Sequence, residues 1–373
     1  MYKIKEVKSH RDINKFIKFP MFLYKDCPYY VPMLISDEKK IFKKDYVYNL
    51  TCETIFFLCE DDNNQVVGRI EGIIQKAANE KWNQKRVRFT RFDSIDNQDV
   101  ANMLLDAVVN WAKEFGMQEM VGPLGYSDLE REGLLIEGFD KLQTYEEQYN
   151  YDYYQKLLEN YGFGKDVDWV EYKLFPPKAV DPMINKVSEK VQQKFHLRLY
   201  QPKSISQFIK EYKDQFFEII DTTYNKLYGT VPFTKEMMES SIGSFKLILR
   251  KQDLALILDE NDKIVSFAIM FPSISKVVTK HKGRITPSFL FEFFKNKKNP
   301  TVIDLGLIGT LPEFASLGAT AIMLDGLYRQ LIEEKIEHVE TNLMLEDNSN
   351  ILSFINAFDN EYVKRRRCFK KEI

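Results

Sequence analysis

Apolar and polar positions along the chain divide it into a recurring order of elements. Thr54–Cys59 (TIFFLC) and Gln65–Ile74 (QVVGRIEGII) are strand-like runs joined by the polar EDDNN, which predicts a hairpin. Arg86–Phe92 (RVRFTRF) predicts a third strand. In DVANMLLDAVVNWAKEFG, Val100, Met103, Leu104, Ala107, Val108 and Trp111 recur at helical spacing, and Gly116 stands where that helix should stop. A strand over Gln118–Pro123, a polar insertion, the helical YDYYQKLLENYG and a strand near Asp168–Leu174 complete the round.

The same order returns after PPKAVDP (Pro176–Pro182), whose prolines break the periodicity. Helical SISQFIKEYKDQFFEIIDTTY precedes DLALILDENDKIVSFAIMF, a hairpin around the acidic turn Asp259–Asp262. A lysine-rich insertion follows, then a strand over Thr301–Leu311, an amphipathic helix, HVETNLML, helical SNILSFINAF and the terminal strand YVKRRRCFKK. The letters of the two rounds differ while their architecture repeats, so two copies of one α+β unit are expected, with the division between about Leu174 and Lys186.

Bulk properties narrow the functional classes. A chain of 373 residues exceeds the roughly 250–300 at which single cores stop growing, in keeping with two units. A formal net charge of −2 offers no long-range attraction for nucleic acid, so no nucleic-acid partner is expected. No apolar run reaches the roughly 18–20 residues of a membrane span, and MYKIKEVKSHRDINKF lacks the apolar centre of a signal peptide, so the expectation is a cytoplasmic protein without a membrane span. Cys27, Cys52, Cys59 and Cys368 and the scattered His10, His196, His281 and His338 have no metal-ligand spacing, and neither disulfides nor a metal are expected. Oligomeric state is not legible.

Several stretches carry a resemblance. FIKFPMFLYKDCPYYVPMLISDE (Phe16–Glu38), VVGRI (Val66–Ile70), GLLIEGFD (Gly133–Asp140), YNYDYYQKLLENYGF (Tyr149–Phe163) and LEDNSN (Leu345–Asn350) together resemble the bacterial tandem-domain branch of the GNAT acyl-CoA N-acyltransferase superfamily. The resemblance implies two tandem GNAT-like domains, residues 1–177 and 184–373, in an α/β-like sandwich. Each would be a mixed, mostly antiparallel sheet flanked by helices, splayed between its fourth and fifth strands where acetyl-CoA or another acyl-CoA lies.

The family resembles itself most in a loop after strand four, Q/R-x-x-G-x-G/A, whose backbone N–H groups bind the CoA pyrophosphate at a helix start. Ala315, Gly318 and Thr320 stand at the matching positions. The side chain of the first is lost and the middle glycine kept; Leu311, Ser316, Leu317, Gly318, Ala319, Thr320 and the later Asn348 are the expected donor-binding residues. The alternative for Gly318 and Ala319 is close helix–strand packing. The corresponding stretch of the first half, SIDNQDVANML, has no glycine and carries Asp93, Asp96 and Asp99, which would repel a pyrophosphate and instead suit a helix start without a ligand. The donor is therefore assigned to the second half.

Amine acylation needs a base for the amine proton, stabilisation of the thioester oxygen and a leaving sulfur. By its match to a strand-four carboxylate of some GNAT branches Asp304 is the first candidate base, with Glu346 the second; each has the alternative of a solvent-facing strand-end or turn charge. SNILSFINAF lacks the tyrosine that often protonates the thiolate. In the first half, Asp140, Tyr149, Asn150 and Tyr153 are the expected acceptor-binding residues, against the alternative that the tyrosine-rich stretch Tyr145–Tyr161 is core. KVVTKHKGR (Lys276–Arg284) and KNKK (Lys295–Lys298), flanking helical SFLFEFF, suit a CoA phosphate, an acidic substrate or a solvated lid, and KRRR (Lys364–Arg367) suits an edge strand.

The leading expectation is an acyl-CoA-dependent N-acyltransferase acting by direct attack of a small-molecule amine. A non-catalytic acyl-CoA or metabolite binder and a tRNA-dependent aminoacyltransferase are the alternatives. Gly318→Glu would place a side chain and a negative charge where phosphate should approach, so CoA affinity should fall at least tenfold, about 1.4 kcal/mol. Unchanged calorimetric binding in a folded variant would exclude this loop.

Overall fold

The computed structural model describes residues 1–373, the side chains at 244 and 245 apart. The first half runs β1 (Lys3–Glu6), α1 (His10–Leu23), α2 (Ile35–Lys40), β2 (Cys52–Glu60), β3 (Val66–Gln75), α3 (Lys76–Lys81), β4 (Arg86–Ser94), α4 (Gln98–Glu114), β5 (Glu119–Gly122), β6 (Leu134–Glu137), α5 (Tyr153–Tyr161) and β7 (Gly164–Phe175). The second runs α6 (Pro182–Phe195), β8 (Arg198–Tyr200), α7 (Ile205–Tyr224), α8 (Lys235–Ile248), β9 (Leu254–Leu258), β10 (Ile264–Pro272), α9 (Ser275–Lys280) and α10 (Pro287–Lys298). It ends with β11 (Val302–Thr310), α11 (Pro312–Ala315), α12 (Ala319–Glu333), β12 (His338–Thr341), β13 (Met344–Leu345), α13 (Ser349–Ile355) and β14 (Asp359–Glu372).

Local signals explain the main elements. α4 begins where the Asn97 side chain accepts from the Val100 N–H, and it buries Val100, Leu104, Leu105, Val108 and Ala112 against the first-half sheet. α12 does the same for the second half through Ile322, Met323, Leu327 and Leu331. In each half two strands run parallel over a short register and then part: β4 beside β5 from Arg86↔Glu119 to Arg88↔Val121, and β11 beside β12 from Val302↔His338 to Leu305↔Thr341. The chain thus has a mixed, mostly antiparallel sheet flanked by helices, in two rounds.

The two rounds do not form two sheets. The strand order is β1-β2-β3-β4-β5-β14-β7-β12-β11-β10-β9-β8, with β6 on β14 and β13 on β7. Each half is completed by the other half's last strand: β14 pairs with β5, and β7 pairs with β12 and β13. Between them β7 and β14 pair antiparallel from Asp359↔Phe175 to Lys370↔Gly164. The chain does leave the sheet between Phe175 and Pro182, where the division was expected, but one continuous sheet crosses that boundary, which corrects the expectation of separate units.

The same topology corrects the placing of KRRR on an edge. β14 lies in the middle of the sheet, where Lys364 is 1% and Arg366 0% exposed. Lys364 Nζ donates to Glu147 at 2.9 Å and Glu171 at 2.8 Å, and Arg366 Nε donates to Glu171 at 2.6 Å. The other Arg366 nitrogens donate to the Gln148 carbonyl and to Gln143. On the opposite face Arg365 and Arg367 both donate to Asp168. Charges are tolerable there because every one has an opposite partner, and removing one partner strands another in a dry interior. Arg366→Met should therefore destabilise the protein by about 3–5 kcal/mol in urea unfolding. A loss below about 1 kcal/mol would show that the buried cluster does not hold the exchanged strands.

Candidate functional site

The expected phosphate loop is more closed than its sequence implies. Gly318 opens α12 with φ +95°, a conformation that favours glycine, and no side chain caps the helix. The preceding amides turn inward: Ser316 N–H donates to Pro312, Leu317 N–H to Phe314 and Gly318 N–H to Ala315, a tight helical turn over Pro312–Ala315. Ala319 and Thr320 form the start of the helix itself, and a Cβ built on Gly318 would lie 3.1 Å from Val191 of α6. Leu311 packs into the core. On the strand edge leading to this loop, the Tyr224 hydroxyl donates to the Ile308 carbonyl at 2.9 Å and accepts from the Ile308 N–H at 3.1 Å. Asn348 caps α13 by accepting from the Ile351 N–H at 3.4 Å, which gives it a structural task.

The corresponding place in the first half is filled by protein. Asp93, at the end of β4, accepts from Arg69 Nε at 2.7 Å and the Tyr24 hydroxyl at 2.9 Å. Tyr24 meets Tyr154, whose hydroxyl accepts from the Ser94 N–H at 2.8 Å, while the Tyr153 hydroxyl donates to the Ser94 carbonyl at 2.7 Å. Tyrosine hydroxyls thus occupy backbone groups of β4 and β11 close to where each strand leaves its parallel partner.

Three of the four expected acceptor residues carry structural hydrogen bonds. Asn150 accepts from the Leu135 N–H at 2.7 Å and donates to the Leu135 carbonyl at 3.0 Å, acting as a strand partner inside the core. The Tyr149 ring packs on Tyr24 and Tyr151, and its hydroxyl donates to the Phe139 carbonyl at 3.2 Å. Burial, with Cys27 alongside, holds that phenol well above its usual range. Tyr153 is tied to Ser94, and Asp140 is exposed on the turn after Gly138. Glu346 sits away from these groups, hydrogen-bonded by Lys165 at 2.5 Å and Arg365 at 2.6 Å. Those two cations hold its carboxyl below the usual range, so it is a poor base.

Asp304 is different. It lies on β11 beside Glu340 of β12, is 8% exposed, and its Oδ1 has no hydrogen-bond partner among the described residues. Glu340 has His338 Nε2 at 3.2 Å and Lys173 at 3.6 Å. Burial first, then the neighbouring Glu340, Glu147 and Glu146, pushes the Asp304 carboxyl well above its ordinary range, favouring its neutral form. Glu146 and Glu147 belong to the polar insertion of the first half, and the oxygens Glu147 Oε1 and Thr144 Oγ1 are likewise buried without partners. The chain exchange therefore brings buried polar atoms of both halves, unpaired among the described residues, to one place.

Glu146 carries the clearest chemical signature there. Its side chain is open to water, yet the surrounding protein raises its carboxyl to about 7, through desolvation first and then Asp37, Glu147 and Glu130, against the pull of Arg131. Arg131 braces this segment by donating to the Tyr145 carbonyl at 2.6 Å and the Val31 carbonyl at 3.3 Å. Sequence reasoning missed Glu146 and Arg131; the only signal was an acidic pair, EEQ, inside an insertion without periodicity.

No family profile matches the chain. The fold is that of a tandem GNAT protein: it superposes on a tandem GNAT protein from the clavulanic acid biosynthesis pathway with a TM-score of 0.57 over 100% of this chain and 98% of that one, at 11% identity. Among curated proteins the chain is similar to Protein YghO of Escherichia coli, 23% identical over 374 residues, 98% of this chain and 94% of the relative. It is also similar to the bacterial ceramide synthase of Caulobacter vibrioides, 22% identical over 284 residues, 75% of this chain and 72% of the relative.

The placing of Glu146 has a measurable consequence. Between its ordinary value of 4.5 and about 7 the folded protein binds a proton at Glu146 that the unfolded chain has lost, so this group makes stability fall as pH rises through that window and then level off. The stability difference between the wild type and Glu146→Gln, followed by urea unfolding at a series of pH values, should decline over the same window. A flat difference would show that the Glu146 carboxyl keeps its ordinary proton affinity.

Proposed function

We propose that the protein is an N-acyltransferase that moves an acyl group from acyl-CoA to an amine in the cleft between its halves. The observation that carries this reading is the meeting of Asp304 from β11 with Glu146 and Glu147 from the first-half insertion: Asp304 and Glu147 each bury an oxygen without a partner among the described residues, and Glu146 beside them can take up a proton near neutral pH. The curated relative named a bacterial ceramide synthase supports an amine acceptor, since a ceramide is a fatty amide of a long-chain amino alcohol. That acceptor class is the first to test. Bound acyl-CoA supplies the activated thioester, and the uncapped start of α12 at Ala319 and Thr320 is the part of the second half that fits its phosphate.

The two carboxyls divide the proton work. Glu146, poised near neutral pH, takes the proton from the attacking nitrogen as the N–C bond forms. Asp304, favoured in its neutral form, gives a proton to the sulfur as the C–S bond breaks, the task for which no tyrosine is at hand in α13. This reverses the expectation that Asp304 is the base. The lack of a tyrosine in α13 to protonate the thiolate favours one second reading, a protein that binds acyl-CoA or another metabolite without transferring a group.

Thiol release from a panel of acyl-CoAs with small and long-chain amines separates the two. Glu146→Gln should lower kcat/KM by about 10²-fold or more and erase the rise of activity through pH 7, with the KM for acyl-CoA nearly unchanged. Acyl-CoA binding without thiol release for every amine would establish the second reading.

A further inference from the structure

α10 faces the wrong way for a soluble helix. Thr286 caps it, Phe289 and Phe293 are buried at 3% and 6% against Val31, Tyr145, Ile274 and Val278, and the opposite face should be polar. That face instead presents Phe291 at 72%, Phe294 at 53% and Leu290 at 43% exposure, with Ile285 at 51% just before the helix. Leu247 of α8, 58% exposed, lies near the helix, its carbonyl accepting from Lys297 Nζ at 2.5 Å. Scattered exposed apolar residues are ordinary, but a contiguous aromatic strip on one helix face is a contact surface.

The charges around it select the contact. Exposed Lys276, Lys282 and Arg284 lie before the helix, and exposed Lys295 and Lys298 lie on its last turns. The one carboxylate within α10, Glu292, is already paired with Lys280 at 2.7 Å. A protein with a net charge of −2 has here concentrated cations around exposed phenylalanines. The turn before the helix is held in place, since Gly283 accepts from the Ile35 N–H at 2.9 Å and leaves no room for a Cβ beside the Met33 carbonyl. No helix among the described residues is long and apolar enough to cross a membrane, and amphipathic helices with exposed aromatic residues and flanking cations are the kind that can lie in a membrane interface.

We propose that α10 and its preceding basic turn dock the protein on an anionic phospholipid bilayer, with Phe291, Phe294 and Leu290 entering the acyl boundary and the surrounding lysines meeting headgroup phosphates. The proposal stands on the surface alone and does not need the acyl-transfer reading. The buried side of α10 packs on Tyr145, next in the chain to Glu146.

Co-sedimentation of the full chain with vesicles of phosphatidylcholine, alone or with about one third phosphatidylglycerol, tests it. The wild type should bind the mixed vesicles and scarcely the neutral ones, and added salt should weaken binding. Phe291→Ser with Phe294→Ser should lower the partition coefficient at least tenfold, and Lys282→Glu with Lys298→Glu should remove the preference for phosphatidylglycerol. All four positions are exposed, and unchanged thermal unfolding verifies the fold of each variant. Binding that is absent for the wild type, or equal in wild type and both variants, overturns the proposal. So does sedimentation velocity showing a wild-type dimer that Phe291→Ser converts to monomer without any vesicle binding, which would assign the strip to a second copy of this chain.

Discussion

Everything about this molecule depends on the pairing of β7 with β14. β7 closes the first round of the chain and β14 the second, yet each strand completes the sheet of the other half. Where they lie side by side, Lys364 and Arg366 are fully desolvated between Glu147 and Glu171. A buried quartet of this kind contributes little net stability against an apolar equivalent, but it strongly penalises arrangements that leave one member alone. A slip of β14 by one residue would exchange Lys364 and Arg366 with Arg365 and Arg367 across the sheet and separate both sets from their carboxylates. The cluster therefore works as a register lock.

That lock also places the carboxyls of the first-half insertion. Glu147 is in the quartet and Glu146 is its neighbour in sequence, so the strand exchange anchors one end of the first-half insertion against the second half of the chain. Asp304 comes to the same place from β11, through β12 and its pairing with β7. The carboxyls that meet there are separated by more than half of a half-chain in sequence, and their altered proton affinities arise from mutual proximity and desolvation. Nothing local to either segment produces them.

The two places where strands part are treated alike, and this divides the labour between the halves. In the first, Tyr24, Tyr153 and Tyr154 with the Arg69–Asp93 pair fill the end of β4. In the second, Tyr224 sits on the edge of β11, but α12 begins with no side-chain cap. The sequence contrast between a glycine-free acidic stretch and one containing Gly318 thus has a physical counterpart: one helix start is capped by Asn97, the other opens on a left-handed glycine.

Periodicity in the chain determined its elements. The hairpins at β2–β3 and β9–β10, the amphipathic α4 and α12, and the repeat of order across PPKAVDP are local properties, readable because side chains alternate or recur with the backbone's own period. What tertiary structure decided is which strand lies beside which. KRRR reads as an exposed edge in any local analysis, because four cations in a row need water unless distant carboxylates replace it, and only the exchange of β7 and β14 supplies them. Tyr149, Asn150 and Asn348 look like ligand-binding residues for the same reason: polar side chains in a motif advertise hydrogen-bonding capacity but not its partner, and here the partners are backbone groups. Glu146 carries no local mark beyond the acidic pair it makes with Glu147, since a carboxylate becomes a candidate base only when other parts of the chain bring up its neighbours.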